Sequence, residues 1–116
     1  MAANDPQVVA TVQEIVEDIK SCRTCGDVRY RRLASLSRLA SSASSLSSLI
    51  GELLGTQGIR CVVKDLRHKS LAVRSAAAQF IATLAHENVS NQQRFLKETG
   101  FVAGDVWVFW VPKMCR

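Results

Sequence analysis

VRSAAAQFIATLAHENVSNQQRFLKETGF, from Val73 to Phe101, decides how the rest of the chain is read. Ala76, Ala77, Ala78, Ala82 and Ala85 are strong helix formers, and their short side chains let neighbouring helices approach closely. Leu71, Phe80, Ile81 and Leu84 supply bulk around them. These residues do not fit one narrow stripe, so the helix is expected to be contacted on several sides, as in the middle of a stacked array. An asparagine-containing junction follows, then a second helix over roughly Ser90 to Glu98 that stops at Thr99-Gly100.

Upstream, the same helical rhythm recurs. Asp5-Pro6 combines a capping carboxylate with a proline where no amide hydrogen is missed. Val8, Val12, Ile15, Val16 and Ile19 then fall at three- and four-residue intervals, and Lys20 is well placed against the helix dipole. After the break CRTCGD, Val28, Leu33, Leu36, Leu39 and Ala40 form a second stripe. Arg29, Arg31, Arg32 and Arg38 are expected to project mainly away from it. Ser41 to Ser45 reads as a turn or cap region, and Leu46 to Leu54 as a further helix ended by Gly55 to Gly58. Ile59, Val62, Val63 and Leu66 mark a short helix before the opening stretch.

Shifting Val28-Arg29 by 45 residues lands on Val73-Arg74, Leu33 on Ala78, Leu36 on Ile81 and Leu39 on Leu84. Further along the offset is 42, which places Leu53-Leu54 on Phe95-Leu96 and Gly58-Ile59 on Gly100-Phe101. An offset of this size, filled by helices, lies within the range of helical repeats, roughly 40–47 residues.

Residues 58–101 resemble an armadillo repeat. Gly58-Ile59, Ala77-Ala78, Leu84-Ala85, Asn88 or Asn91, and Glu98 with Gly100 occupy the family's characteristic positions. Leu33-Ala34 and Leu39-Ala40 echo them one unit earlier, and HEAT repeats are close rivals. The resemblance implies an all-α fold, a short right-handed α-solenoid of about two armadillo-like repeats over residues 1–104, with residues 105–116 as an irregular aromatic C-terminal tail. Ala77-Ala78, Ile81, Thr83, Asn88, Gln92 or Gln93, and Phe95-Leu96 also resemble armadillo-type Hsp70 nucleotide exchange factors. That likeness implies a co-chaperone that grips an ATPase lobe without doing chemistry.

In the tail, Val106 to Val111 are β-branched or aromatic. Trp107, Phe109 and Trp110 are expected to cap the last helix pair, add a strand to a partner or mediate self-association. A natural array normally ends in a more polar helix.

The chemistry-bearing residues do not gather into a readable site. Cys22-x-x-Cys25 lacks a second close pair among Cys61, Cys115, His68 and His86, so the cysteines are read as plain thiols and not as a zinc site. His68 and His86 have no triad around them, and Gly51, Gly55 and Gly58 read as a helix ending and not as a phosphate cradle. No enzymatic activity and no cofactor are expected. The net charge of +5 and the arginines Arg23, Arg29, Arg31, Arg32 and Arg38 point instead to a binding face, extended by Arg60, Lys64, Arg67 and Lys69 if the helices stack in order. Arg74 is read as a capping or ion-paired residue or a mark of the ligand side.

The sequence therefore predicts a protein-interaction module or scaffold. Its candidate binding residues are Arg29, Arg31, Arg32, Arg38, Arg74, Trp107, Phe109 and Trp110. The expected partner is a protein, an acidic segment or Hsp70, with self-association through the tail as a further option. A basic-surface association with nucleic acid is the alternative. No window has the 18 or more apolar residues of a membrane span, and the N-terminal stretch lacks a secretory pattern, so cytoplasm or nucleus is the expected location.

Overall fold

The computed structural model describes residues 5–21 and 26–99, the last of these in its backbone alone. Five helices account for most of this span: α1 (Pro6–Lys20), α2 (Gly26–Ser42), α3 (Ser44–Asp65), α4 (Leu71–Ala85) and α5 (Val89–Thr99). Among the described residues there is no strand. The tail and Cys22 to Cys25 lie outside them, and so do Trp107, Phe109 and Trp110.

The caps follow from local chemistry. The Asp5 carboxylate accepts the Gln7 amide at 2.9 Å, with Pro6 opening α1. Ser70 Oγ accepts the Val73 amide at the start of α4. After α4 the backbone reverses through Glu87, whose φ is +50°. Asn88 then caps α5, its Oδ1 accepting the Asn91 amide at 3.0 Å. Asn88 is thus the turn asparagine of the two that the sequence offers.

The serine-dense region differs from its reading as a turn over Ser41 to Ser45. α2 continues through Ser42, α3 begins at Ser44, and Ala43 alone separates them. Ser41 Oγ donates to the Ser37 carbonyl at 3.0 Å and Ser42 Oγ to the Leu39 carbonyl at 2.7 Å. Ser42 Oγ satisfies a carbonyl of the last turn of α2 where the next turn of helix would have done so, and Ser41 Oγ adds a second donor to a carbonyl one turn earlier.

α3 joins the two helices expected around residues 46–66. The joint is Gly55, whose φ of +60° and ψ of −167° interrupt the helix. A residue with a Cβ adopts that backbone only with strain, although open space surrounds the position.

The core is continuous. Val12, Ile15, Val16 and Ile19 of α1 pack with Leu33, Leu36 and Ala40 of α2 and with Ile50, Leu54, Ile59 and Val62 of α3. Val73, Ala77, Phe80, Ile81 and Leu84 of α4 and Phe95 of α5 complete it. α4 packs against α2, α3 and α5, as its many-sided apolar composition predicts. Leu71 is the exception: it stands in the first turn of α4 and is 67% exposed, so it adds no bulk to the core. α1 packs on α2 and α3. The radius of gyration, 13.0 Å, is that of a compact domain of this length.

Small residues set the α3–α5 approach. At Gly51 a Cβ would overlap the Asn91 side-chain amide. Fully buried Asn91 uses the room, its Nδ2 donating to the Leu84 carbonyl at 2.8 Å and the Ser47 carbonyl at 3.1 Å. Its Oδ1 accepts from Arg94 Nη1 at 2.8 Å. One amide thereby ties α3, α4 and α5 together.

Candidate interaction surface

α2 presents three faces, because a helix advances by about 100° per residue. Arg29, Leu33, Leu36 and Ala40 point inward and are buried. Tyr30, Ala34 and Ser37 face a seam shared with α4. Arg31 and Arg38 stand about a quarter-turn from that seam, in solvent.

Arg29 therefore leaves the expected binding face. Its Nε donates to Asp65 Oδ2 at 2.7 Å and its Nη1 to the Ile19 carbonyl at 2.9 Å. The side chains of the pair are 4% and 9% exposed. Desolvation pushes the Asp65 carboxyl above its ordinary 3.8, outweighing the opposing hydrogen bond and charge of Arg29 and the smaller effects of His68 and Lys64. The pair joins the end of α1, the start of α2 and the end of α3, a structural task.

The other arginines divide in the same way. Arg32 Nε pairs with Asp18 Oδ2 at 3.0 Å, tying α2 to α1 at the surface. Arg74 Nη1 donates to the carbonyls of His68 at 2.8 Å and Lys69 at 3.3 Å, bracing the α3–α4 connection. Arg60, placed in the extended patch by the sequence, reaches Glu98 of α5 at 3.0 Å. Arg31 and Arg38 keep only local contacts, Arg31 Nε to the Asp27 carbonyl and Arg38 Nη2 to Ser35 Oγ, each at 3.4 Å. Both remain available to a partner. Arg31 also borders a cleft of about 320 Å³ with Val28, Arg32 and Ser35.

The last turn of α3 and the α3–α4 connection carry further exposed cations, Lys64, Arg67 and Lys69. It meets the start of α2, where a Cβ on Gly26 would lie 3.6 Å from His68. The basic residues thus gather toward the end of the molecule at which α2 and α4 begin.

The seam between α2 and α4 escaped the sequence reading. Its first part, about 470 Å³, lies between Tyr30, Ala34 and Ser37 on one wall and Leu71, Ala72, Ser75 and Gln79 on the other. A second part, about 400 Å³, continues from Gln79 past Ser41 and Thr83 to His86, Glu87 and Asn88. Gln79 lines both. Tyr30 is 44% exposed at its mouth, opposite Leu71. The signal was the spacing of small residues on both helices, Ala34, Ser37 and Ser41 against Ala72, Ser75 and Ala76.

The titratable residues stay scattered. His68 Nδ1 accepts the Ser70 amide at 3.0 Å, near the start of α4, whereas His86 stands at its far end. Among the described residues no three His, Cys, Asp or Glu side chains group as metal ligands. Cys61 departs from its reading as a plain thiol and is disulfide-bonded. No helix among the described residues is long and apolar enough to cross a membrane. Compared with models of protein families, with curated proteins and with solved structures, the chain has no match.

Proposed function

We propose that the chain is a short armadillo-like stack acting as a non-enzymatic protein-interaction module. The spacing of its elements supports two units. α2 and α4 begin at Gly26 and Leu71, and α3 and α5 at Ser44 and Val89, both 45 residues apart. Gly55 then separates the third helix of one unit from the first helix of the next.

The observation that carries the interaction reading is the α2–α4 groove. Its walls come from two helices fixed by the core, and it is lined by small apolar and hydroxyl side chains with Tyr30 and Leu71 exposed at one end. Concave surfaces on rigid helical supports are what stacked repeats use to bind partners. A preformed site loses little conformational entropy when occupied.

Selection of random peptides on the immobilised full chain tests the reading. The expected result is a family of enriched peptides that compete with one another at micromolar affinity. Recovery of no competing family, together with duplex binding that falls steeply with added salt, would overturn it in favour of nucleic-acid association.

A further inference from the structure

We infer that Ser70 is a phosphorylation site, modified by a serine kinase that reads the arginine three residues before its acceptor. The assignment goes beyond the interaction reading above and does not depend on it. Arginine stands three residues before serine at Arg32/Ser35, Arg38/Ser41 and Arg67/Ser70. Carboxylates on a kinase select such an arginine, and the acceptor segment is taken as an extended strand. The fold withholds that strand at two of the three serines and offers it at the third.

Ser35 and Ser41 both lie inside α2. A helix sets the arginine about 4.5 Å along its axis from the serine, whereas an extended chain sets it about 10 Å away. Presenting either serine therefore requires at least one turn of α2 to unwind. At Ser35 the arginine is also held, Arg32 by Asp18 at 3.0 Å, and the following Leu36 is fully buried. At Ser41 the hydroxyl is occupied, donating to the Ser37 carbonyl at 3.0 Å and to the Arg38 carbonyl at 3.1 Å.

Ser70 stands outside the helices, on the connection between α3 and α4, its φ of −83° and ψ of 125° already extended. Arg67 and Lys69 before it are exposed, and so is Leu71 after it. Leu71 adds nothing to the core, and an apolar residue directly after the acceptor is a second feature that a kinase reads. Ser70 Oγ accepts the Val73 amide at a long 3.4 Å and donates to no group among the described residues. The connection is held by Arg74 on the His68 and Lys69 carbonyls and by the Ser70 amide on His68 Nδ1. Releasing these bonds straightens residues 67–70 while α4 loses at most its first turn, an opening of the low-cost kind. In the reaction Ser70 Oγ attacks the γ-phosphorus of ATP, and the Oγ–P bond forms as the bond to the β–γ bridging oxygen breaks. ADP leaves with that electron pair, and the hydroxyl proton passes to a carboxylate of the kinase. The product dianion has Arg67, Lys69 and Arg74 within four residues along the chain, and α4 carries no acidic residue to repel it.

The test begins with three synthetic peptides spanning Arg32/Ser35, Arg38/Ser41 and Arg67/Ser70, which carry the motifs without the fold. A purified arginine-directed serine kinase that labels all three at similar rates is then given the folded full chain and ATP, and the phosphate is mapped by mass spectrometry. Ser70 is expected to be labelled at least about tenfold faster than Ser35 or Ser41, a ratio set by the cost of unwinding α2. Arg67→Ala should slow the reaction about tenfold through the loss of a charge-assisted contact. Ser70→Ala and Ser70→Asp, the second of which keeps a capping oxygen, should each remove most of the incorporated phosphate while circular dichroism stays helical. Faster labelling of Ser35 or Ser41 in the folded chain, no labelling of Ser70, or indifference to Arg67→Ala would overturn the assignment.

Discussion

Replacing Arg29 and Asp65 singly and together probes the buried pair that joins α1, α2 and α3. Removing one member of a buried ion pair leaves the other charge uncompensated, at about 3–5 kcal/mol. The two single variants should differ. In Arg29→Met the stranded Asp65 can take up a proton, toward which burial already pushes it. In Asp65→Leu the stranded guanidinium stays charged, although it keeps the Ile19 carbonyl. Asp65→Leu is therefore placed near 5 kcal/mol and Arg29→Met near 3, both as order-of-magnitude estimates, so about 2 kcal/mol separates them. The double variant removes both charges and fills the space with apolar atoms, and should lose no more than about 2 kcal/mol, chiefly at the uncovered Ile19 carbonyl. For a chain of this length the unfolding entropy makes 1 kcal/mol worth about 4 °C of Tm. Thermal melts at pH 7 should then place Asp65→Leu about 20 °C below the parent, Arg29→Met about 12 °C and the double variant within about 8 °C. Additive single effects, or a double variant less stable than Asp65→Leu, would refute the view that desolvation dominates this pair.

The pH dependence of the same site follows from its sign. A carboxyl whose folded pKa lies above the unfolded value contributes stability fully present below about 3.8 and lost as pH rises through the folded value. The stability gap between parent and Asp65→Asn should thus narrow from pH 3 to pH 7 in urea titrations; a gap that widens would mean the folded pKa is depressed. Gly51→Ala forces a methyl into the Asn91 amide and should cost about 2–3 kcal/mol in urea, whereas Gly55→Ala meets no neighbouring atom and costs about 1–3 kcal/mol through backbone strain alone. A loss under about 0.5 kcal/mol in Gly51→Ala would show that α3 and α5 are not in such close contact. Asn91→Ala deprives two buried carbonyls of a donor, although Ser47 Oγ still reaches Leu84 at 3.3 Å. A loss of about 3 kcal/mol is expected in the same assay, and one under about 0.5 kcal/mol would mean that water replaces the amide.

Periodicity made the helices and most of the core legible. Val12, Ile15, Val16, Ile19, Leu33, Leu36 and Leu84 are buried where spacing put them. The cap at Asp5 followed from side-chain chemistry that acts over two residues, whereas the turn asparagine was left between Asn88 and Asn91. Arg29 was misplaced because its partner is Asp65, 36 positions away, and no local pattern announces such a pair. Leu71 was taken for core because composition does not tell a helix's first turn from its middle. The groove was missed for a related reason: small residues on α2 and α4 signal close packing equally well whether a third helix covers them or nothing does.

Gly51 and Asn91 also bear on how this fold varies among sequences. The glycine makes the volume that the amide occupies, and the amide in turn serves carbonyls on two helices. Neither position changes alone without a clash or an abandoned polar group. Two positions 40 apart therefore behave as one heritable unit. Chains sharing this architecture should keep glycine and asparagine together or lose them together, a covariation able to mark relatives after the apolar positions have drifted.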